Sequence, residues 1–147
     1  MRAPRIIVRL LALALIVAGV ANASIADDGG FKVIVNPDNA ATSVDRDFLR
    51  DVYLKKATEW SGGETTYPID LGSKFPERDR FTDQVIRKTA AQLRTYWNQQ
   101  IFSGKGVPPP EADSAAEVIE YVMSNKGAVG YIPADADPGK AKVIRIR

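Results

Sequence analysis

The first 23 residues have the organisation of an export signal, and this limits what the rest of the chain can fold into. Three arginines precede an apolar run from Leu10 to Val20, and Ala21-Asn22-Ala23 supplies the small-residue cleavage site of a secretory signal peptide. The apolar run is much shorter than the ~20 residues that span a bilayer, so we expect cleavage after Ala23 and no membrane insertion afterwards. The remaining 124 residues (147 − 23) suffice for one domain.

Cleavage also changes the net charge. The full chain has 20 basic and 18 acidic residues, but Arg2, Arg5 and Arg9 lie in the leader. The processed chain therefore has 17 basic residues (20 − 3) and 18 acidic ones, a net charge of −1. This removes most of the compositional argument for nucleic-acid binding, and we expect no nucleic-acid partner.

The chain contains no cysteine and no histidine. Disulfides, thiolate or imidazole metal sites, thiol nucleophiles and triads with a histidine base are excluded. No spacing distinguishes any pair of the acidic residues, and Ser73 and Lys74 are adjacent, so the sequence does not favour an enzyme. We expect no catalytic residue, no metal and no cofactor; a hydrolase with two converging carboxylates remains an alternative.

Strand and helix patterns alternate along the processed chain. Residues 24–30 are small, polar and acidic and predict a flexible lead-in to a domain at 31–147. The order β-α-β-α-α-α-β-β predicts an α/β sandwich with a mixed sheet of about four strands. Predicted strands are 31–35, 66–71, 127–132 and 142–146; predicted helices are about 43–54 (capped by Thr42 or Ser43), 76–88, 90–102 and 114–124 (with a Ser114–Glu117 capping box).

Several predicted helix starts carry groups that could bind an oxyanion. Free N–H groups, a hydroxyl donor and a guanidinium all direct positive charge at a negative ligand, although serine and threonine most often simply cap helices. The Gly72-Ser73 corner is favoured because ligands in α/β sheets bind beyond strand ends. The candidate binding residues are Thr42, Ser43, Ser73, Arg78 and Arg80. The last two lie about 200° apart on a helix, so only one of them can face the site.

Motifs spread over residues 31–133 resemble a known family. The stretches Leu49–Lys56 and Glu59–Gly63 (LRDVYLKK and EWSGG) are similar to the signature L-x-x-I-F-x-G-K-x-x-x-W-x-x-G of PstS-like phosphate-binding components of ABC transporters. The resemblance continues at Arg80-Phe81, which makes Arg80 the slightly preferred ligand residue. Two further segments share it: Tyr96-Trp97 followed by Phe102-Ser103-Gly104, and GAVGYI at 127–132, which is similar to the family's G-A-I-G-Y.

The sequence also departs from this family. Full-length members resemble a two-lobed clamshell that closes on phosphate, with Ser-Gly-Thr at the start of the helix after the second strand. Here that place has Gly72-Ser73-Lys74, and Tyr53-Leu54-Lys55 replaces the usual F-x-G. The processed chain is long enough for one lobe only.

The resemblance implies a single-lobe, periplasmic-binding-protein-like α/β sandwich in the periplasm. Its function would be non-enzymatic binding of phosphate or a related oxyanion, with an ABC permease or another envelope protein as partner. A half-open site should bind weakly, at about millimolar affinity or about 4 kcal/mol. The alternative is a lobe without ligand that serves as an accessory or protein-interaction module of the cell envelope.

Overall fold

A five-stranded mixed sheet forms the centre of the described part of the chain. The computed structural model describes residues 30–147, and the predicted leader and nearly all of the lead-in lie outside the described residues. The strands are β1 (Phe31–Val35), β2 (Ser43–Val44), β3 (Tyr67–Pro68), β4 (Asp70–Leu71), β5 (Glu111–Ala112), β6 (Ala128–Pro133) and β7 (Lys142–Ile146). The α-helices are α1 (Arg46–Tyr53), α2 (Pro76–Phe81), α3 (Ala90–Phe102) and α4 (Ala115–Ser124).

The strand order of the main sheet is β2-β7-β1-β6-β3, and β4 and β5 form a separate parallel pair. The central strand β1 is antiparallel to both neighbours, so that Val33 lies opposite Tyr131 on β6 and opposite Ile144 on β7. The outer strands β2 and β3 are parallel to β7 and β6. Pro68 therefore lies on an edge strand, where its missing N–H is tolerated. The predicted mixed α/β fold is confirmed, with one more strand in the sheet than expected.

The core lies on both faces of β1. Val33, Ile34 and Val35 are at most 2% exposed, which explains why this strand is continuously apolar rather than alternating. Helix α4 covers β6 with Val118 and Val122, which are fully buried. Burial of both faces therefore helps to fix the central strands.

An aromatic cluster connects the helices to the sheet. The rings of Phe81 and Tyr131 are stacked with centroids 4.0 Å apart, and Phe31 and Tyr53 pack against Phe81 at 5.4 and 4.6 Å. These side chains come from α2, β6, β1 and α1. Burying each ring contributes about 1.5–3 kcal/mol, so the cluster fixes the position of the end of α2 against the sheet.

The prediction that Thr42 or Ser43 caps the first helix is wrong. Asp45 is the N-cap, and its Oδ1 accepts hydrogen bonds from the backbone N–H groups of Asp47 and Phe48. Ser43 instead belongs to β2. Strand β2 has only two residues, too few to show the alternation of apolar and polar residues that identifies a strand. It forms because β7 provides an edge with which it can pair.

The predicted helix at 76–88 is divided. After Phe81 the chain continues as a π-helical segment, Thr82–Ile86, which ends where Arg87 adopts the left-handed conformation at φ 57°. A π-helical turn keeps the apolar side chains of Val85 and Ile86 in the core and so leaves no trace in the apolar pattern.

The two later helices agree with prediction. Helix α3 has the predicted bounds, and α4 begins one residue after its cap Ser114. The capping box differs in one bond: the Glu117 carboxylate accepts from the N–H of Asp113 rather than from that of Ser114. Among the described residues, no helix is both long and apolar enough to cross a bilayer.

Candidate functional site

Strands β4, β5 and β6 end at the same edge of the molecule. Strand β3 is parallel to β6, and β4 is parallel to β5. Ile69 connects β3 to β4, and its N–H donates to Val129 O of β6. The start of β1 meets the end of β6 here, where Ala134 N donates to Gly30 O. We call this the carboxyl edge; it consists of Gly30, Gly72–Lys74, Asp113–Ser114 and Ala134. In α/β sheets, ligands bind beyond the carboxyl ends of strands.

The Gly72-Ser73 corner exposes its serine to solvent, whereas Gly72 is buried. Gly72 N donates to Ala112 O at 2.9 Å, and Phe75 N closes a turn on Gly72 O at 3.1 Å. Ser73 and Lys74 are exposed, and the Ser73 hydroxyl has no hydrogen-bond partner among residues 30–147. The Lys74 ammonium lies 3.6 Å from Asp113 Oδ1, and both side chains are mostly exposed. The corner therefore offers one free hydroxyl and one loosely paired cation.

Arg78 lies behind this corner and is already paired. Its Nη1 donates to Leu71 O at 3.0 Å and to Glu111 Oε1 at 2.5 Å, and its Nη2 lies 3.5 Å from Asp70 Oδ2. The hydroxyl of Tyr131 donates to Asp70 Oδ1. We call these four side chains (Asp70, Arg78, Glu111 and Tyr131) the Arg78 clamp, because they join β4, α2, β5 and β6.

Burial controls protonation in the Arg78 clamp. Burial raises the pKa of Asp70, against the opposing effects of the Arg78 guanidinium and the Tyr131 hydrogen bond. Burial, together with the nearby Asp70 charge, raises the pKa of Tyr131 far above its usual value. Tyr131 therefore stays a donor. With two carboxylates around one guanidinium, the clamp does not attract a further anion.

The two candidate arginines lie apart. Arg78 contacts the Gly72-Ser73 corner, whereas Arg80, which the sequence slightly favoured, extends toward Gly30, where a Cβ atom would lie 2.3 Å from its Nη1. Arg80 is exposed and forms no ion pair with any residue from 30 to 147. Both arginines are at the carboxyl edge, but only Arg80 has an available guanidinium.

Thr42 and Ser43 are not part of this edge cluster. Ser43 is on β2 and pairs with Arg145 of β7, and Thr42 precedes it. Three strands separate β2 from β3, the strand that leads to Ser73. Four strand spacings amount to about 19 Å, too far for one small ion to contact both groups.

Sequence reasoning missed three members of the clamp: Asp70, Glu111 and Tyr131. No fixed spacing connects these residues, since β4, β5 and β6 meet only in the folded chain. The one available signal was Asp70, a carboxylate inside an otherwise apolar strand, because a buried acid requires a partner.

Comparison with solved structures places the fold. A protein of Clostridium perfringens, solved with bound phosphate and described as a candidate phosphate ABC transporter substrate-binding protein, superimposes with a TM-score of 0.62 at 18% identity. An ABC-type phosphate transport receptor of Vibrio cholerae gives 0.59 at 19%, and PstS of Borrelia burgdorferi gives 0.61 at 14%.

Each match covers 80% of this chain but only 44%, 46% and 47% of these three structures. The chain thus spans less than half the length of the proteins it resembles. No protein-family model matches the sequence, and no curated protein matches it. Residues 30–147 therefore have a PstS-like fold, corresponding to a single lobe of the phosphate-binding proteins.

Proposed function

We propose that this chain is a non-enzymatic, periplasmic solute-binding lobe whose ligand is phosphate or a related oxyanion, held at the carboxyl edge by Ser73 and Arg80. One observation carries the proposal: Arg80 has an exposed, unpaired guanidinium at the carboxyl edge of a fold shared with proteins described as phosphate receptors. A guanidinium fork and a hydroxyl suit an oxyanion, because each donates directed hydrogen bonds.

The other candidate residues have different parts in this proposal. Arg78 is committed to Asp70 and Glu111 and holds the corner in place rather than binding the ligand. Thr42 and Ser43 are too distant to contribute. The free hydroxyl of Ser73 therefore acts with Arg80.

A single lobe limits the affinity. Small-ligand sites bind by burying most of the ligand, and one lobe leaves half of an oxyanion in water, where charge-assisted bonds are weak. We expect a dissociation constant of about 1 mM, corresponding to about 4 kcal/mol. Delivery to an ABC permease would then require that the permease or another envelope protein complete the site.

A second candidate function is an accessory or interaction module without ligand. The observation that favours it is the excess of acid behind the corner. The two carboxylates of Asp70 and Glu111 pair with the single positive charge of Arg78, and Asp113 pairs with Lys74. Such a surface repels a dianion, so only the Arg80 side of the edge is electrostatically suited to one.

Isothermal titration separates the two functions. Titrating the processed protein with phosphate, sulfate and molybdate should give saturable heat for at least phosphate. The protein should also melt at a higher temperature, because ligand at ten times its dissociation constant stabilises the fold by about 1.4 kcal/mol. Arg80→Gln and Ser73→Ala should each weaken binding several-fold.

The matched control is Arg94→Gln, which removes an exposed, unpaired arginine from α3 and should leave binding unchanged. Heat that persists in Arg80→Gln but disappears in Arg94→Gln would contradict the assignment of the site. Absence of heat and of any melting shift at tens of millimolar anion would reject the binding function and favour the accessory module.

A further inference from the structure

The end of α3 presents apolar side chains to solvent. Four large apolar residues are exposed in the described part of the chain, and three of them, Ile101, Phe102 and Val107, lie within seven residues; Phe102 is 91% exposed. The loop folds back on the helix, since Lys105 N donates to Gln100 O at 2.9 Å. We call Ile101, Phe102, Lys105 and Val107 the α3 tip.

The loop of the α3 tip is open on its outer side. Cβ atoms added at Gly104 and Gly106 would meet no atom within 4 Å. Three exposed large apolar side chains within one short segment are unusual on a folded domain and indicate a contact surface. An exposed apolar segment suits a fluid layer, because a fluid layer needs no preformed pocket.

The sequence around the tip carries only positive charge. Between Asp83 and Glu111 the sequence has no acidic residue and four basic ones, although the processed chain has a net charge of −1. Three of the four, Lys88, Arg94 and Lys105, form no ion pair with any residue of the described part of the chain.

Arg94 and Ile101 share one face of α3. Tyr96, two residues after Arg94 and so about 160° from it around the helix, anchors the opposite side through its hydroxyl, which donates to Leu54 O at 2.7 Å; Trp97, between the two sides, is buried. Arg94 and Ile101 are seven residues apart and so lie within about 20° of one another around the helix, and Phe102 lies next to Ile101. The outward face therefore combines cations with apolar side chains.

From these observations we propose that the α3 tip adsorbs to an anionic phospholipid surface, with Phe102 and Val107 entering the acyl boundary and Arg94 and Lys105 contacting the headgroups. Apolar insertion combined with basic residues is how peripheral segments bind anionic membranes, and each basic residue near such a surface contributes about 1 kcal/mol. In this arrangement the α3 tip lies on the membrane surface, and no helix among residues 30–147 is long and apolar enough to cross it. This inference does not depend on the oxyanion site.

An acidic protein surface is the competing occupant. Such a partner would have to supply a pocket for Phe102, whose side chain is 91% exposed. A lipid layer accepts the side chain without a preformed pocket. The exposed apolar side chains and the basic sequence around them therefore favour lipid.

Vesicle co-sedimentation tests the proposal. Protein from the cell-envelope fraction is used, with its amino terminus read by mass spectrometry, so that an uncleaved leader cannot account for binding. Vesicles with phosphatidylglycerol should bind it at low salt, and vesicles of phosphatidylcholine alone should not. Phe102→Ser/Val107→Ser should lower the partition coefficient about tenfold, and Arg94→Gln/Lys105→Gln by about tenfold or more.

The matched charge control is Lys140→Gln/Arg145→Gln, which removes two exposed basic residues outside α3 and should leave binding unchanged. Unchanged melting temperatures would show that all three double variants are folded. Lack of binding to phosphatidylglycerol vesicles would overturn the proposal, as would binding that does not respond to loss of Phe102 and Val107. Equal losses in the control variant would also overturn it, because they would indicate a dispersed charge effect.

Discussion

Two buried glycines in β6 and its preceding turn set a limit on side-chain size at single positions. A Cβ at Gly127 would lie 1.8 Å from the backbone oxygen of Thr65, and one at Gly130 would lie 2.6 Å from Val118 Cγ1 and 2.9 Å from Ile69 Cγ2. Backbone atoms cannot move as easily as side-chain atoms, so Gly127 should tolerate an added Cβ less well than Gly130 does. These contacts are a physical reason for glycine in the GAVGYI motif.

Alanine substitution tests this limit. Gly130→Ala should destabilise the fold by about 1–3 kcal/mol through overpacking, and Gly127→Ala should destabilise it more. Gly62→Ala is the control, because a Cβ there meets nothing within 4 Å; it should change the free energy of unfolding little. Urea denaturation measures all three. The reverse order for Gly127 and Gly130 would show that the turn at Thr65 yields readily.

The Arg78 clamp predicts that the loss of stability caused by removing Arg78 depends on pH. Arg78→Gln leaves the buried Asp70 carboxylate without its cation, which should cost about 2–3 kcal/mol near neutral pH. Burial already raises the Asp70 pKa, so this group's contribution to stability is full below its ordinary value of 3.8 and is lost as pH rises through the raised value. Losing Arg78 moves that pKa higher still.

The cost of Arg78→Gln should therefore shrink as the pH falls through the raised Asp70 pKa, because Asp70 is then protonated in the folded state. Urea denaturation at about pH 7 and about pH 4.5 measures this difference. Asp70→Asn/Arg78→Gln should be more stable than Arg78→Gln alone near pH 7, since no buried charge remains. A pH-independent cost would show that the hydrogen bond from Arg78 to Leu71 O, rather than the pairing with Asp70, carries the interaction.

At the scale of elements, the end of α1 explains one departure from the family pattern. Lys55 follows the helix and adopts φ 56°, the left-handed conformation that usually requires glycine after a helix. The F-x-G pattern places glycine at this position, and here it is lysine. Lys55 is exposed and without an ion pair among residues 30–147, so its side chain offers nothing that offsets the strain.

Lys55→Gly should therefore stabilise the protein by about 0.5–1 kcal/mol, because relief of left-handed strain exceeds the entropy that glycine adds to the unfolded chain. Thermal unfolding measures this as a rise of a few degrees. The neighbouring Lys56, also exposed, has no positive φ, and Lys56→Gly should destabilise. Destabilisation by both changes would mean that the Lys55 side chain contributes packing.

The sequence predicted the elements whose signals are local. Helices α3 and α4 have apolar periodicity and polar starts, and both have nearly the predicted bounds. Strand β2 was missed because its two residues form a strand only through pairing with β7. The π-helical segment was missed because its side chains stay in the core. Errors therefore occur where tertiary contacts, rather than local pattern, determine the backbone.

At the scale of the whole molecule, local sequence pattern predicts the fold, whereas the site depends on tertiary contacts. The fold class follows from the order of strands and helices. The clamp could not be predicted, because Asp70 and Tyr131 lie 61 residues apart and meet only when β4 and β6 are placed. Whether Arg78 or Arg80 is available to a ligand depends on those placements.

The last strand joins parts of the sheet that are distant in sequence. Strand β7 lies between β2 and β1 and buries Ile144 against the core. Removing Lys142–Arg147 would leave one side of β1 without hydrogen bonds and would detach β2. Unpaired backbone groups in a buried strand cost about 1–3 kcal/mol each, and three register pairs join β1 to β7. This cost is comparable to the whole stability of a domain.

We therefore expect the truncated chain to lose cooperative thermal unfolding and its near-ultraviolet dichroism. Arg145→Ser/Arg147→Ser is the matched control: it removes two of the three basic residues lost in the truncation while keeping the backbone of β7, and it should unfold cooperatively near the wild-type temperature. If the truncated chain kept a sharp transition, β1 and β6 with α4 would form an independent core. The sheet would then be assembled in two units, and β7 would serve only to attach β2.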